Sequence, residues 1–146
     1  MVIFEEKRIG VLLEQANRIT KLSFIKVFKK LGVDITPEQW VILDTLYKQD
    51  ALSQTELGEI AYKNKPTISR IIDLTSRKKL TKRKACTHDR RKYRIQLTAK
   101  GRKVVEKCSP EINKLRDFSW KGLTNKDYAE FQRITSQLFE NFNEYK

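Results

Sequence analysis

Apolar residues along most of the chain recur with the period of an α-helix. Phe24, Val27, Phe28 and Leu31 stand at i, i+3, i+4 and i+7, which predicts that a first helix reaches this point from about Ile9. Five further helices are predicted by Trp40, Leu43, Leu46 and Tyr47; by Leu57, Ile60 and Ala61; by Ile68, Ile71, Ile72 and Thr75; by Val104, Val105 and Ile112; and by Phe131, Ile134, Leu138 and Phe142. Ser109-Pro110 is expected to break or bend the helix that contains Val104, Val105 and Ile112.

Three of the predicted helices begin at a capping sequence. Residues 35–40 read I-T-P-E-Q-W, so Thr36 is the expected cap and Gln39 can bond back to it. Residues 52–57 read L-S-Q-T-E-L and repeat the arrangement with Ser53 and Glu56. Residues 123–128 read L-T-N-K-D-Y, a weaker version because aspartate is shorter than glutamate. Each box satisfies backbone N–H groups of the first helical turn and so marks a helix start.

Between the fourth helix and Thr98 the period changes to two. Tyr93, Ile95 and Leu97 alternate with polar residues, which predicts a half-buried strand with these three side chains anchored in the core. Residues 80–86 are the expected partner strand, and about six polar residues, 87–92, separate the two. We therefore expect one mainly α domain, residues 1–146, with a small β-hairpin after the fourth helix.

The position of the positive charge indicates the class of partner. The net charge is +13, and residues 77–103 hold thirteen Arg or Lys against one acid, Asp89, which is +12 in 27 residues. A localised basic block predicts a polyanion partner, and nucleic acid is favoured over a membrane surface because the alternating part is not an amphipathic helix. No apolar run approaches the ~18 residues of a membrane span, so a cytoplasmic protein is expected.

The segment just before the basic block has the pattern of a helix-turn-helix. A short capped helix at 53–62, a polar turn at 63–65 and a helix at 66–78 would place the second helix in the major groove. Inward-facing Ile68, Ile71 and Ile72 leave the polar residues of that helix outward or flanking. The candidate DNA-binding residues are Ser53, Gln54, Lys63, Asn64, Lys65, Thr67, Ser69, Arg70 and Asp73, together with Arg90, Arg91 and Lys92 of the hairpin loop.

Four stretches of the chain resemble the MarR-type (multiple antibiotic resistance regulator) winged-helix transcription regulators. They are T-P-E-Q-W-V-I-L at 36–43, L-S-Q-T-E-L-G-E-I-A at 52–61, P-T-I-S-R-I-I-D at 66–73 and D-R-R-K-Y-R-I-Q-L-T-A-K-G at 89–101. The resemblance implies a winged helix-turn-helix with a DNA-binding lobe at about 36–103. It implies that the N-terminal helix (about 1–35) and the C-terminal helices (about 104–146) form a homodimer on a pseudo-palindromic site.

The resemblance also implies roles for single residues. Arg91 would enter the minor groove, and Asp89 would hold the hairpin loop by pairing with a nearby arginine. In many members a small anionic or phenolic ligand, or cysteine oxidation, releases DNA. The chain departs from the family pattern in two places. Lys79 stands where the family commonly has glycine, so this residue must use another cap or a positive φ. The N-terminal helix has no cysteine, so the family's peroxide-sensing arrangement is not supported.

Other chemistry has little support in the sequence. Cys86, His88 and Cys108 lack the spacing of a zinc site, and we interpret them as a small strand residue, a solvated loop residue and a buried helix residue. The aromatic residues Phe24, Phe28, Trp40, Tyr47 and Trp120 are expected in the core or at an interface rather than around an effector. Neither a catalytic set nor a phosphate loop is present, so no enzyme, cofactor or metal is expected.

The sequence therefore predicts a sequence-specific double-stranded-DNA-binding transcription regulator, a homodimeric repressor that a small ligand releases. One alternative is an architectural or nucleoid DNA-binding protein without a discrete operator. The other is an effector-binding protein in which DNA contact is secondary.

Overall fold

The computed structural model describes residues 7–89 and 91–146, which form six helices and three short strands. The helices are α1 (Ile9–Lys30), α2 (Pro37–Lys48), α3 (Gln54–Ala61), α4 (Lys65–Arg77), α5 (Ala99–Ser119) and α6 (Asn125–Glu144). The strands are β1 (Leu52–Ser53), β2 (Thr81–Ala85) and β3 (Tyr93–Leu97). The predicted fold class, mainly α with a small β-hairpin, is confirmed. Residues 1–112 and 113–146 are two compact units, and none of the described helices is long and apolar enough to cross a bilayer.

The hairpin gains a third strand that the periodicity did not predict. The sheet is antiparallel in the order β1-β3-β2, and two residues of β1 pair with β3 through Leu52 opposite Ile95 and Ser53 opposite Arg94. The β2–β3 register runs from Thr81 opposite Leu97 out to Ala85 opposite Tyr93. Because β1 leads directly into α3, this short pairing fixes the start of α3 against the hairpin.

The three predicted capping boxes are all present. The Thr36 hydroxyl accepts from the Gln39 N–H at 3.2 Å, and the Ser53 hydroxyl accepts from the Glu56 N–H at 3.1 Å. The third box also closes, because a carboxylate oxygen of Asp127 accepts from the Thr124 backbone N–H at 2.7 Å. That bond lowers the pKa of the Asp127 carboxyl. The helix starts are therefore encoded locally, as the sequence indicates.

The core of the first unit lies between α2, α3, α4, the sheet and the first half of α5. Its members are Phe28, Ile35, Trp40, Ile42, Leu43, Leu46, Leu52, Leu57, Ile68, Ile71, Ile72, Leu80, Ile95, Leu97, Val105, Cys108 and Ile112. Phe28 and Trp40 pack with ring centroids 5.9 Å apart, which joins α1 to α2. Burial also raises the pKa of the Cys108 thiol, so this residue is a neutral core side chain, as interpreted from the sequence.

Two expectations about single positions are wrong. Tyr93 was expected in the core with Ile95 and Leu97, but it is 52% exposed. The reason is that other elements cover only the base of the hairpin, where Thr81 is the one buried residue of β2. The alternating pattern of β3 continues beyond this covered part, out to Tyr93. Of the break or bend expected at Pro110, the break does not occur, because α5 continues from Ala99 to Ser119. Buried Cys108 and Ile112 on either side of it hold the helix despite the lost N–H donor.

Lys79 adopts the positive φ that its position requires. Its φ is 59°, its N–H donates to the Ser76 carbonyl at 2.9 Å, and the Leu80 N–H donates to the Thr75 carbonyl at 2.9 Å. This is the Schellman end of a helix, with lysine in the place usually taken by glycine. The left-handed conformation costs about 1–2 kcal/mol for a residue with a Cβ. The end of α4 is therefore held by the contacts around it rather than by its own preference.

The start of α5 lies directly against that turn. Thr98 accepts from the Gly101 N–H at 3.0 Å, which caps α5, and its hydroxyl donates to the Lys79 carbonyl at 2.6 Å. A Cβ on Gly101 would lie 2.0 Å from the Leu80 carbonyl oxygen and 3.1 Å from Leu97 Cδ2. Only glycine allows this approach of α5 to the base of the hairpin.

We predict that Gly101→Ala lowers the free energy of unfolding by at least about 1–3 kcal/mol, because the backbone of α5 or of Leu80 has to move. Chemical denaturation followed by circular dichroism measures the loss. The matched control is Gly10→Ala in α1, where a Cβ meets nothing within 4 Å. The control should leave stability unchanged or raise it by up to about 1 kcal/mol. Equal stability of Gly101→Ala and the natural chain would contradict the packing described here.

Candidate nucleic-acid interface

Helices α3 and α4 form the predicted helix-turn-helix with a tight connection. Tyr62 caps the C-terminal end of α3 with a φ of 52°, and the Lys63 N–H donates to the Gly58 carbonyl at 2.9 Å. Helix α4 begins at Lys65, one residue before the predicted start. A Cβ on Gly58 would lie 3.2 Å from the Lys63 carbonyl oxygen, so glycine allows the turn to lie close against α3. The turn therefore fixes the angle between the two helices.

The buried and open faces of α4 separate as predicted. Ile68, Ile71, Ile72 and Thr75 are at most 3% exposed. The predicted DNA-contacting residues of this region lie on the other side or at the margins. Lys65, Asn64 and Arg70 are exposed, whereas Ser53, Gln54, Lys63, Thr67, Ser69 and Asp73 are half-buried. The sequence thus locates one connected polar surface made by the start of α3, the turn and the open face of α4.

Two of these polar side chains cap helices. The side-chain Oδ1 of Asn64 accepts from the Thr67 N–H at 2.9 Å and so caps α4. Ser53 caps α3 through its hydroxyl, as described above. Asn64 keeps its side-chain NH₂ group, which has two donors, for an external acceptor. The side chains of Thr67, Ser69 and Arg70 therefore provide most of the hydrogen-bonding capacity on the open face of α4.

Asp73 connects α4 to the hairpin. Its carboxylate accepts a hydrogen bond from Arg83 of β2, and the two side chains are 46% and 39% exposed. An acid on this surface would by itself repel DNA phosphates. The contact with Arg83 explains its presence, because it orients a basic strand. Asp73 is therefore a positioning residue for the hairpin in this structure.

We call β2, β3 and the loop 86–92 the wing. At its open end the Cys86 N–H donates to the Lys92 carbonyl at 3.0 Å, and the Lys92 N–H donates to the Asp89 carbonyl at 3.1 Å. Asp89 Oδ1 accepts from the backbone N–H of Arg91 at 2.9 Å, which shapes the loop through the main chain. Arg91 and Lys92 are exposed, and the predicted contact Arg90 lies outside the described residues.

Arg94 is a bracing residue that the sequence analysis missed. Its guanidinium donates to the Ala51 carbonyl at 2.9 Å and lies 3.8 Å from a Glu56 carboxylate oxygen. The hydrogen bond from the Ser53 N–H lowers the pKa of the Glu56 carboxyl, and the positive charge of Arg94 lowers it further. The only signal in the sequence was Arg94 on the polar side of the alternating strand, which does not reveal a partner 43 residues earlier.

A concave surface joins the wing to the start of α3. It has a volume of about 430 Å³ and includes Gln54, Thr55, Arg83, Lys92 and Arg94. Three cations thus outnumber Glu56, the one acid that also lines this surface, at the N-terminal end of α3, where backbone N–H groups also favour an anion. The arrangement suits a phosphate group of a nucleic acid backbone. Arg83, like Arg94, was not among the predicted contacts.

Metal chemistry finds no support in the described part of the chain. Across residues 7–89 and 91–146, no group of three or more His, Cys, Asp or Glu side chains is arranged to hold a metal ion. Cys86 is half-buried just after β2, and His88 is exposed in the wing loop.

The comparisons with known proteins agree with this geometry. A model of the MarR family matches residues 35–93. The chain is similar to S. aureus MepR in a DNA complex, at 24% identity over 93% of this chain and 99% of that one, with a TM-score of 0.81. It is similar to the transcriptional regulator PcaV from Streptomyces coelicolor, in complex with its natural ligand, at 18% identity over 96% and 97% of the two chains, with a TM-score of 0.79.

A further similarity extends along the whole chain. Bordetella bronchiseptica BpsR, a protein whose DNA binding is regulated by 6-hydroxynicotinic acid, is 21% identical over 100% of both chains, with a TM-score of 0.76. At these identities the solved structures establish the fold. The winged helix-turn-helix predicted from the sequence is thereby confirmed.

We predict a coupling of about 0.5–1 kcal/mol between Asp73 and Arg83, because partly exposed ion pairs are weak and a charged hydrogen bond adds to them. A double-mutant cycle with Asp73→Asn and Arg83→Gln, scored by the free energy of unfolding, measures it. The coupling should fall as salt is raised. Additive effects at low salt would show that the contact does not hold the wing.

Proposed function

We propose that the chain is a MarR-type regulator, a homodimeric transcription regulator that binds double-stranded DNA with sequence specificity, which the match of the MarR family model to residues 35–93 supports. The observation that carries the proposal is the connected basic surface made by the open face of α4 and the wing. Both parts are fixed to the same core, and Asp73 with Arg83 joins them. A protein that only needed a phosphate patch would not require this fixed geometry.

Base readout is proposed for α4. Arg70 is exposed on the open face and can bind guanine with two hydrogen bonds. Thr67 and Ser69 can bond base edges or phosphates, while Ser53, Gln54, Lys63, Asn64 and Lys65 lie where phosphates would fix the position of the helix. In this arrangement Asp73 acts on DNA through Arg83.

The wing is proposed to enter the adjacent minor groove. Arg91 stands at the open end of the hairpin, in a loop shaped by the Asp89 carboxylate. An arginine in a narrow, A·T-rich minor groove responds to the local shape and potential of DNA more than to base identity. Arg90 and Lys92 are proposed to contact the same groove or its phosphates.

Dimerisation is proposed for the helices that flank the DNA-binding lobe of about residues 36–103. Helix α1 exposes Val11, Leu12, Ile19, Leu22 and Ile25 by 45–66% each. Helix α6 exposes Phe131, Ile134, Phe139 and Phe142 by 44–64% each. Apolar faces of this extent are typical of protein interfaces, and a second copy of the chain would cover them. A two-fold dimer would bind half-sites about 34–36 Å apart, which means a pseudo-palindrome.

Control by a small molecule completes the proposal. BpsR is regulated by 6-hydroxynicotinic acid, and PcaV has a natural ligand, which supports a small anionic or phenolic effector for this chain. The proposed protein is a cytoplasmic repressor that such an effector releases from DNA. It has no catalytic step.

The test of function is binding to the protein's own promoter fragment and to a scrambled duplex over a range of salt concentrations. We expect a preference of about 10³-fold or more for the promoter fragment at physiological salt. Affinity for both duplexes should fall as salt rises, because phosphate contacts release counterions. Equal affinity would favour an architectural DNA-binding protein, and no binding at low salt would show the proposal to be wrong.

The wing is tested by Arg91→Ala. We expect operator binding to weaken by about 1–3 kcal/mol, while the free energy of unfolding changes by less than about 0.5 kcal/mol because the side chain is exposed. Fluorescence anisotropy and chemical denaturation measure the two quantities. Lys121→Ala, which removes one charge from an exposed residue after α5, is the matched control and should change neither. A large loss of stability in Arg91→Ala would mean that this arginine is structural.

A further inference from the structure

A groove of about 440 Å³ lies at the opposite end of α4 from the helix-turn-helix turn. Three segments form it: the α1–α2 loop at 32–35, the turn after α4 at 78–80 and the first turns of α5 at 100–107. Val33, Ile35, Leu80 and Val104 give it an apolar lining, and Ile35 and Leu80 belong to the buried core. Its volume is within the range of small-molecule sites.

Four lysines surround this apolar lining. Lys100, Lys103 and Lys107 follow i, i+3 and i+7, so they lie on one face of α5, and Lys78 joins them from the end of α4. We call this site the lysine groove. Asp34 is the single acid among its lining residues, which leaves a net charge of +3.

The nearby acids of α5 are engaged elsewhere. Glu106 accepts from the Tyr47 hydroxyl at 3.3 Å, and Glu111 lies 3.9 Å from the Lys30 ammonium. Within residues 7–89 and 91–146, no carboxylate lies within salt-bridge distance of Lys103 or Lys107. The positive charge of these two lysines is thus not neutralised by the described part of the protein.

The other two lysines are held in place by the fold. Lys78 Nζ donates to the Asp34 carbonyl at 2.8 Å and to Gln39 Oε1 at 3.0 Å. Lys100 Nζ donates to the Lys78 carbonyl at 3.0 Å. Two fixed cations beside two unneutralised ones make a preorganised positive rim, which lowers the cost of binding an anion.

The proposed DNA contacts do not account for this rim. Helix α4 has 13 residues, so its C-terminal end is about 20 Å from the turn that carries Asn64 and Lys65, at 1.5 Å per residue. Lys100 follows the base of β3, whereas Arg91 is at the open end of the wing. The lysine groove therefore lies away from the residues proposed for base and minor-groove contact.

We propose that the lysine groove binds a small organic dianion with an apolar body, of which an organic phosphate is the expected class. The net charge of +3 favours two negative charges over one. Lysine is a compact point charge that commonly binds phosphate, and the apolar lining suits a hydrocarbon or aromatic body. The volume admits one small molecule. This binding is independent of the DNA-binding proposal and is measured without DNA.

A matched ligand series tests the site. 1-Naphthyl phosphate, 1-naphthoate and 1-naphthol share one body and differ in charge, and inorganic phosphate has charge without the body. At pH 7.5 and constant ionic strength, titrations followed by amide NMR should give an affinity that rises about tenfold with each added negative charge. Inorganic phosphate should bind at least about tenfold more weakly than 1-naphthyl phosphate. The shifted amides should cluster at 32–35, 78–80 and 100–107.

Variants then assign the binding to the lysines. Lys103→Gln with Lys107→Gln should weaken 1-naphthyl phosphate about tenfold or more, because both unneutralised charges are lost. Lys121→Gln with Lys126→Gln makes the same change in net charge outside the groove and should have no such effect. Lys103→Arg with Lys107→Arg should retain most of the affinity.

Three outcomes would overturn the proposal. The first is a cluster of shifted amides at 53–55 and 91–94, which would place the anion between the wing and α3. The second is equal weakening by the two glutamine pairs, which would show attraction by net charge alone. The third is equal affinity for inorganic phosphate and 1-naphthyl phosphate, which would exclude a role for the apolar lining.

Discussion

The backbone of α5 lies directly against the carbonyl group of Leu80, and the positions of α4 and the wing both depend on that contact. Gly101 makes the approach possible because it has no Cβ. Thr98 reinforces it by bonding the Lys79 carbonyl, and the Thr98 N–H donates to the Leu80 carbonyl at 3.1 Å. The end of α4, the base of the wing and the start of α5 therefore form one rigid junction.

This junction explains how the chain tolerates an unfavourable conformation at Lys79. The left-handed backbone there is offset by hydrogen bonds on both sides, including the buried pair of hydroxyls from Thr75 and Thr81, 2.8 Å apart. Thr75 also donates to the Ile72 carbonyl at 2.9 Å, so it is the buried Thr81 hydroxyl that depends on this pair, because an unpaired buried hydroxyl would be costly. The local strain is thus compensated by contacts between elements.

Charge is arranged on this scaffold by distance from the core. The distal half of the hairpin is exposed, so its many cations keep contact with water until a polyanion displaces it. Two cations of the wing, Arg83 and Arg94, instead contact Asp73 and Glu56. The lysine groove uses the same principle at the other end of α4, where Lys78 joins the helix end to the α1–α2 loop. A ligand that competes for Lys78 would therefore act on the helix proposed to read DNA.

The sequence by itself determined the features that depend on near neighbours. Helix starts at Thr36, Ser53 and Thr124 follow from capping residues three positions apart, and the inward face of α4 follows from the spacing of its isoleucines. The family motifs located the wing and Gly101, although the reason for glycine appears only when Leu80 is placed against it. The polar residues of the open α4 face were likewise predicted, because the same period that buries one face exposes the other.

Only the tertiary structure decided which elements meet. Periodicity predicted Tyr93 as a core residue, but whether a strand residue is covered depends on how far the neighbouring helices extend. Proline chemistry predicted a break or bend at Pro110, but α5 is unbroken because the packing of Cys108 and Ile112 outweighs one missing hydrogen bond. The pairs Asp73–Arg83 and Glu56–Arg94, and the four lysines around one groove, join residues distant in sequence. Such contacts are set by the packing of whole elements, which local patterns of residues do not encode.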